Sequence, residues 1–199
     1  MSIFEFELRK FSNRKEIGCK GIAGTFGDVL TARQEISIKE SRRRGNRSEV
    51  VLRGEQLPEL LFRGTGPGRP TLETPHLLIE GISIELDFSK RAFRRKSRAL
   101  HLTHEGRTWT YVVIHPNRSS VLERPGVQIP LDRRKSSTGK GASSYVTATR
   151  EAAAIDLALA IIFKEVQTYA LTSGGAISSV LNRIVTPRHG YSNEAIPLD

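Results

Sequence analysis

The chain has 199 residues, 38% of them hydrophobic and 26% charged, which is enough for one sizeable core and barely enough for two. Its formal charge of +10 is unevenly spread: residues 1–150 hold 28 Lys/Arg against 16 Asp/Glu, while 151–199 hold 3 against 5. The imbalance points to an anionic partner, with nucleic acid ahead of an anionic membrane surface or an acidic protein, and the single cysteine, Cys19, excludes an internal disulfide and an all-cysteine zinc site.

Phe4, Phe6 and Leu8 alternate with Glu5, Glu7 and Arg9, so a half-buried strand is expected at the start. The same acids stand where a secretory signal needs a basic start and an unbroken apolar run; with one cysteine, the expectation is a reducing, cytoplasmic setting. The series Gly18, Gly21, Gly24 and Gly27 suggests a turn-rich stretch, after which Ile36 and Ile38 resume alternation. Brief strands are expected at 50–52 and 60–62, followed by a break across 64–70. Another follows at 77–79, and the clearest alternation in the chain is 82–88, with Ile82, Ile84, Leu86 and Phe88 on one face. Segments 100–103 and 108–114 flank His104-Glu105-Gly106-Arg107 and read as a hairpin, placing Trp109, Tyr111 and Val113 on one side. Val127, Ile129 and Leu131 alternate once more before a basic, Ser/Gly-rich stretch at 132–144 that reads as mobile.

From Thr149, a candidate N-cap, the pattern becomes helical, with Glu151 in the first turn and a run of alanines behind it. A helix at about 150–171 is expected, apolar on most sides and therefore buried by the fold. Asp156 and Lys164 limit its uninterrupted apolar run to 157–163, far below the roughly 20 residues a membrane span needs, so no transmembrane segment is expected. A shorter helix at 176–185 completes one domain spanning 1–186, and a flexible tail at 187–199 follows it. The fold class expected is α+β, mostly antiparallel: a curved sheet or barrel of about nine to ten short strands enclosing, or packing on, the C-terminal helix. This order of elements over 1–171 is similar to tubby-like and LURP-one-like domains, in which a barrel surrounds a C-terminal helix. The resemblance implies binding of phosphoinositide-type headgroups.

Three basic clusters are the candidate binding residues. The first is Arg42, Arg43, Arg44 and Arg47. The second, six Lys/Arg in nine positions, is Lys90, Arg91, Arg94, Arg95, Lys96 and Arg98, interrupted by Phe93. The third is Arg133, Arg134, Lys135 and Lys140. Guanidinium forks pair with phosphates bidentately and an interleaved aromatic can stack on a base, which favours nucleic acid; the same set would serve an anionic bilayer, and a solvated loop would carry it equally. The string Arg-Arg-Lys-Ser ends at both Ser97 and Ser136, where a phosphate would oppose its own cluster.

Other motifs fall short of chemistry. Gly139-Lys140-Gly141 lacks the upstream glycine and following hydroxyl of a Walker loop, and Gly64, Gly66 and Gly68 miss the dinucleotide spacing, so no cofactor is expected. His101, His104 and His115 do not share a strand face and have no cysteine to complete a metal set. Glu85 and Asp87 alternate as ordinary solvent-facing residues do. The expectation is a non-catalytic binding module.

Overall fold

The computed structural model describes residues 3–34, 45, 47–66, 68–88, 98–138 and 141–172. Over these it forms one antiparallel sheet of thirteen strands, bent into a nearly closed barrel, and one short α-helix. The first seven strands are β1 (Ile3–Ser12), β2 (Glu16–Ile22), β3 (Asp28–Gln34), β4 (Arg47–Gly54), β5 (Leu60–Thr65), β6 (His76–Ile79) and β7 (Ile82–Ile84). The remaining six are β8 (Leu86–Phe88), β9 (Leu100–His104), β10 (Arg107–His115), β11 (Ser119–Arg124), β12 (Val127–Lys135) and β13 (Ala142–Thr149). Strands β1 to β7 make one meander and β8 to β13 another. A single long-range pairing, β1 with β13 in the register Phe6↔Val146 and Leu8↔Ser144, joins them.

The sheet edges are β7 and β8, consecutive in sequence and three residues each. The segment 82–88, which alternates as one strand would, is thus divided at Glu85: Ile79↔Ile82 closes a hairpin on β6, while Leu86↔Leu102 joins β9. Ile84 remains buried, but Ile82 is 58% exposed. Short edges of this kind expose few unpaired backbone groups.

Local chemistry explains the joints. Between β9 and β10, Glu105 (φ 50°) and Gly106 (φ 72°) form a two-residue turn with both residues left-handed, as a type I′ hairpin requires. The glycine series at 18–27 is only partly a turn. Gly18 and Gly21 lie inside β2, where a Cβ at Gly18 would run into the Thr31 carbonyl oxygen of β3, so glycine there permits close strand approach. The stretch 132–144 is also more regular than its composition suggests: residues up to Lys135 extend β12, and Ala142 begins β13. The Ile36 and Ile38 alternation, the 176–185 segment and the 187–199 tail lie outside the described residues.

The helix, α1 (Ala154–Glu165), is shorter than the expected 150–171. Thr149 ends β13 rather than capping the helix, and Ala153 takes the N-cap position. Residues 156–163 are at most 1% exposed, and α1 packs against β3, β4 and β5 from one meander and β11 and β12 from the other. Phe163 meets Phe62 edge-on at 6.3 Å and Tyr111 at 5.3 Å, joining the two arms through aromatic contacts. After Glu165 the backbone turns extended at Val166, and Gln167 N–H donates to the Pro70 carbonyl at 2.8 Å, pinning the helix end to the 66–71 loop.

Asp156, a charged residue in the first turn of this apolar helix, is fully buried. Its carboxylate accepts from Trp109 Nε1 at 2.7 Å, from Arg124 Nε and Nη2 at 2.8 and 2.7 Å, and from the Ala153 N–H at 2.8 Å. Burial pushes this carboxyl up, but the bonds from Arg124, Trp109 and Ala153 outweigh it and hold it below the ordinary aspartate range. Removing one partner of such a pair leaves the other charge uncompensated. Asp156→Ala is therefore expected to lose about 3–5 kcal/mol in urea unfolding followed by far-UV circular dichroism. Because the folded carboxyl titrates below the unfolded one, its contribution is complete above about pH 4 and drains as pH falls further; Asp156→Asn should flatten that acid limb.

Candidate anion-binding pocket

The barrel strands carry a charged residue where their inward apolar phase runs out at one end. On β1 the inward series Phe4, Phe6, Leu8 continues to Lys10; on β12 Val127, Ile129, Leu131 continues to Arg133. On β11 Leu122 and Ser120 face inward and Arg118 follows in the same phase, in the turn that joins β10 to β11. These three side chains meet Lys164 from the last turn of α1 and Arg69 from the 66–71 loop around one cavity of about 70 Å³.

The walls of the cavity reach into the core. Tyr111, Val113 and Leu131 are buried strand residues, and Val166 closes the helix side. Ser119, Ser120 and Thr168 add hydroxyls, and His115 and Asn117 line the rim. Backbone bonds hold the parts: Arg133 N–H donates to the Arg118 carbonyl at 2.8 Å, and Thr71 N–H to the Thr65 carbonyl at 2.8 Å behind Arg69.

Among the described residues, five cationic side chains line the cavity and no carboxylate does. Glu165, buried behind it, lies 3.8 Å from both Arg69 and Lys164. Glu165 also accepts the Cys19 thiol hydrogen at 3.3 Å. Burial, then the Glu165 charge, pushes that thiol up to about 12, so it stays protonated at neutral pH. Burial likewise pushes the Tyr111 hydroxyl up to about 12, against a hydrogen bond from Ser120. Lys10 is held below the ordinary lysine range by burial and then by the charges of Arg133 and Arg69. Crowded like charges raise the free energy of the empty pocket, and a multiply charged anion would relieve it.

The fold divides the third basic cluster. Arg133 lies in the pocket. Its neighbour Arg134 points to the other face of β12, where it pairs with Glu5 at 3.0 Å and Asp132 at 3.5 Å and lies over the Tyr145 ring at 5.1 Å. Lys135 ends β12 and is exposed, Arg47 begins β4 opposite Thr65, and Arg98 is 4% exposed just before β9. Arg42, Arg43, Arg44, Lys90, Arg91, Phe93, Arg94, Arg95, Lys96 and Lys140 lie outside the described residues, as does Ser97. Ser136 is 8% exposed and its hydroxyl donates to Glu7 at 2.8 Å, so a phosphate there would face a carboxylate. Glu7 also accepts from the Ser137 hydroxyl and backbone N–H, and these serines hold it well below the usual carboxylate range.

Lys10, Arg69, Arg118 and Lys164 fall outside the three basic clusters and come from four separate stretches of chain. The signal that finds Lys10 and Arg133 is a cation at the next inward position of an alternating strand.

Lys10→Met, which removes one like charge from the pocket, is expected to raise the urea midpoint of the anion-free protein at low salt by about 0.5–1 kcal/mol in stability. The gain should shrink in high salt as screening weakens the repulsion. A midpoint lowered at all salt concentrations would contradict the electrostatic account. The chain matches no protein-family model, no curated protein and no solved structure.

Proposed function

We propose that this protein is a non-catalytic binding module for a phosphate-bearing partner, nucleic acid, held at the cationic pocket. The observation that carries this reading is the meeting of Lys10, Arg69, Arg118, Arg133 and Lys164 at one cavity whose lining, among the described residues, holds no acid. Arginine and lysine so arranged match phosphate oxygens in charge and hydrogen-bond geometry. The barrel wraps α1, and the helix serves as the strut that delivers Lys164. The Arg-rich stretches at 42–47, 90–98 and 133–140 add long-range attraction that raises the encounter rate with a polyanion.

Binding rather than catalysis is favoured by the groups beside the cavity. The Cys19 thiol and the Tyr111 hydroxyl both titrate near 12, far from the range in which an acid, base or nucleophile works at neutral pH.

Fluorescence anisotropy with a short single-stranded oligonucleotide tests the reading. Binding of a polyanion releases counterions, so log affinity should fall linearly as log salt rises. Arg133→Ser should weaken binding about tenfold at low salt. A flat salt response, or unaltered affinity in Arg133→Ser, would remove nucleic acid from the proposal. Flotation with acidic vesicles but not neutral ones would then assign the pocket to a membrane surface, and stoichiometric capture of an acidic protein to a protein partner.

A further inference from the structure

The pocket's shape and charge narrow what can enter it, and this step rests on the function proposed above. A polyanion that lay along a surface would need a continuous track of cations, each meeting one singly charged phosphodiester. The structure has instead a recess with a closed floor. Tyr111, Val113, Leu131 and Val166 wall off its inner side, all of them buried, so a strand cannot thread through. An end of a strand can enter.

The volume agrees. At about 70 Å³ the cavity has room for several water-sized groups, the scale of one phosphate. Five cations, two of them 3.8 Å from Glu165, leave an excess of charge among the described residues that one diester anion would satisfy poorly and a dianion much better. Arg69 and Lys164 are both engaged loosely with Glu165, at 3.8 Å, which leaves their remaining hydrogens available. The hydroxyls of Ser119 and Thr168 can donate to the same group.

We infer that the pocket recognises a terminal phosphomonoester, the doubly charged phosphate at an end of a nucleic-acid strand, in preference to phosphodiesters within it. Lys10, Arg118 and Arg133 ring the mouth and meet the phosphate first, while Arg69 and Lys164, backed by Glu165, hold it from the inner side. A terminal nucleotide beyond the phosphate stays at the rim near His115 and Asn117.

The test compares one labelled single strand in three forms, with a 5′-phosphate, with a 3′-phosphate and with hydroxyls at both ends, by anisotropy at fixed salt. One phosphorylated form should bind at least about tenfold tighter than the hydroxyl form. Inorganic phosphate should compete with it, and the contrast should vanish in Lys10→Met and in Arg133→Ser. Arg107→Ser removes an exposed cation at the far end of β10 and should leave the contrast intact, with native circular dichroism confirming that each variant is folded. Equal binding of all three forms, with normal salt dependence, overturns the terminal-phosphate inference and leaves the polyanion reading standing. Failure of every form to bind overturns both, and binding only to vesicles bearing phosphomonoester lipids moves the pocket from nucleic acid to membranes.

Discussion

The buried Asp156 carboxylate is the contact from which the rest of the arrangement follows. It ties the first turn of α1 to Trp109 on β10 and Arg124 on β11, with four hydrogen bonds at 2.7 to 2.8 Å. A charge in the core is tolerable only when paired and fully bonded, and this one is. From that anchor a helix of 12 residues rises about 18 Å, so its last turn arrives at the opposite end of the barrel. There Gln167 binds the Pro70 carbonyl, and Lys164 is delivered to the cavity that Lys10, Arg118 and Arg133 line from the sheet. The two ends of one helix thus connect a stability device with the candidate site.

The two ends also obey opposite electrostatic rules. Asp156 sits near the positive end of the helix dipole and is met by a guanidinium and an indole. Lys164 and the neighbouring cations sit near the negative end, but a helix terminus supplies only about half an elementary charge against five. Glu165 supplies one more. The remaining imbalance costs stability, and local violations of packing and charge rules of this kind concentrate where a protein meets a ligand.

Much of the fold can be read from alternation alone. The inward residues of β1, β10 and β12 are those that a period of two selects, and the Glu105-Gly106 turn follows from its two left-handed residues. Four strands escaped: β2 lies within the glycine series that reads as turn, and β3, β11 and β13 bury the polar residues Thr31, Ser120 and Ser144 among their inward positions. The division of 82–88 at Glu85 is a property of barrel closure, since each half pairs with a different meander and nothing in the segment itself marks the change of partner. The helix lost its first turn to the Ala153 cap because Asp156, the strongest local acceptor, binds that N–H. The pocket was the least legible feature. Arg133 was visible as part of a basic run, but its partners come singly from β1, a loop, a turn and the helix, and only the β1–β13 pairing and the helix end bring them together.

Heavy-atom location of a phosphate analogue addresses the central claim most directly: crystals of the full chain soaked in tungstate at low millimolar concentration, with the anomalous map read at the barrel end. The account predicts one dominant tungsten peak within hydrogen-bonding reach of Lys10, Arg118 and Arg133, with Arg69 and Lys164 on its inner side, abolished in Arg133→Ser. Tungstate scattered over exposed arginines with the cavity empty would contradict it.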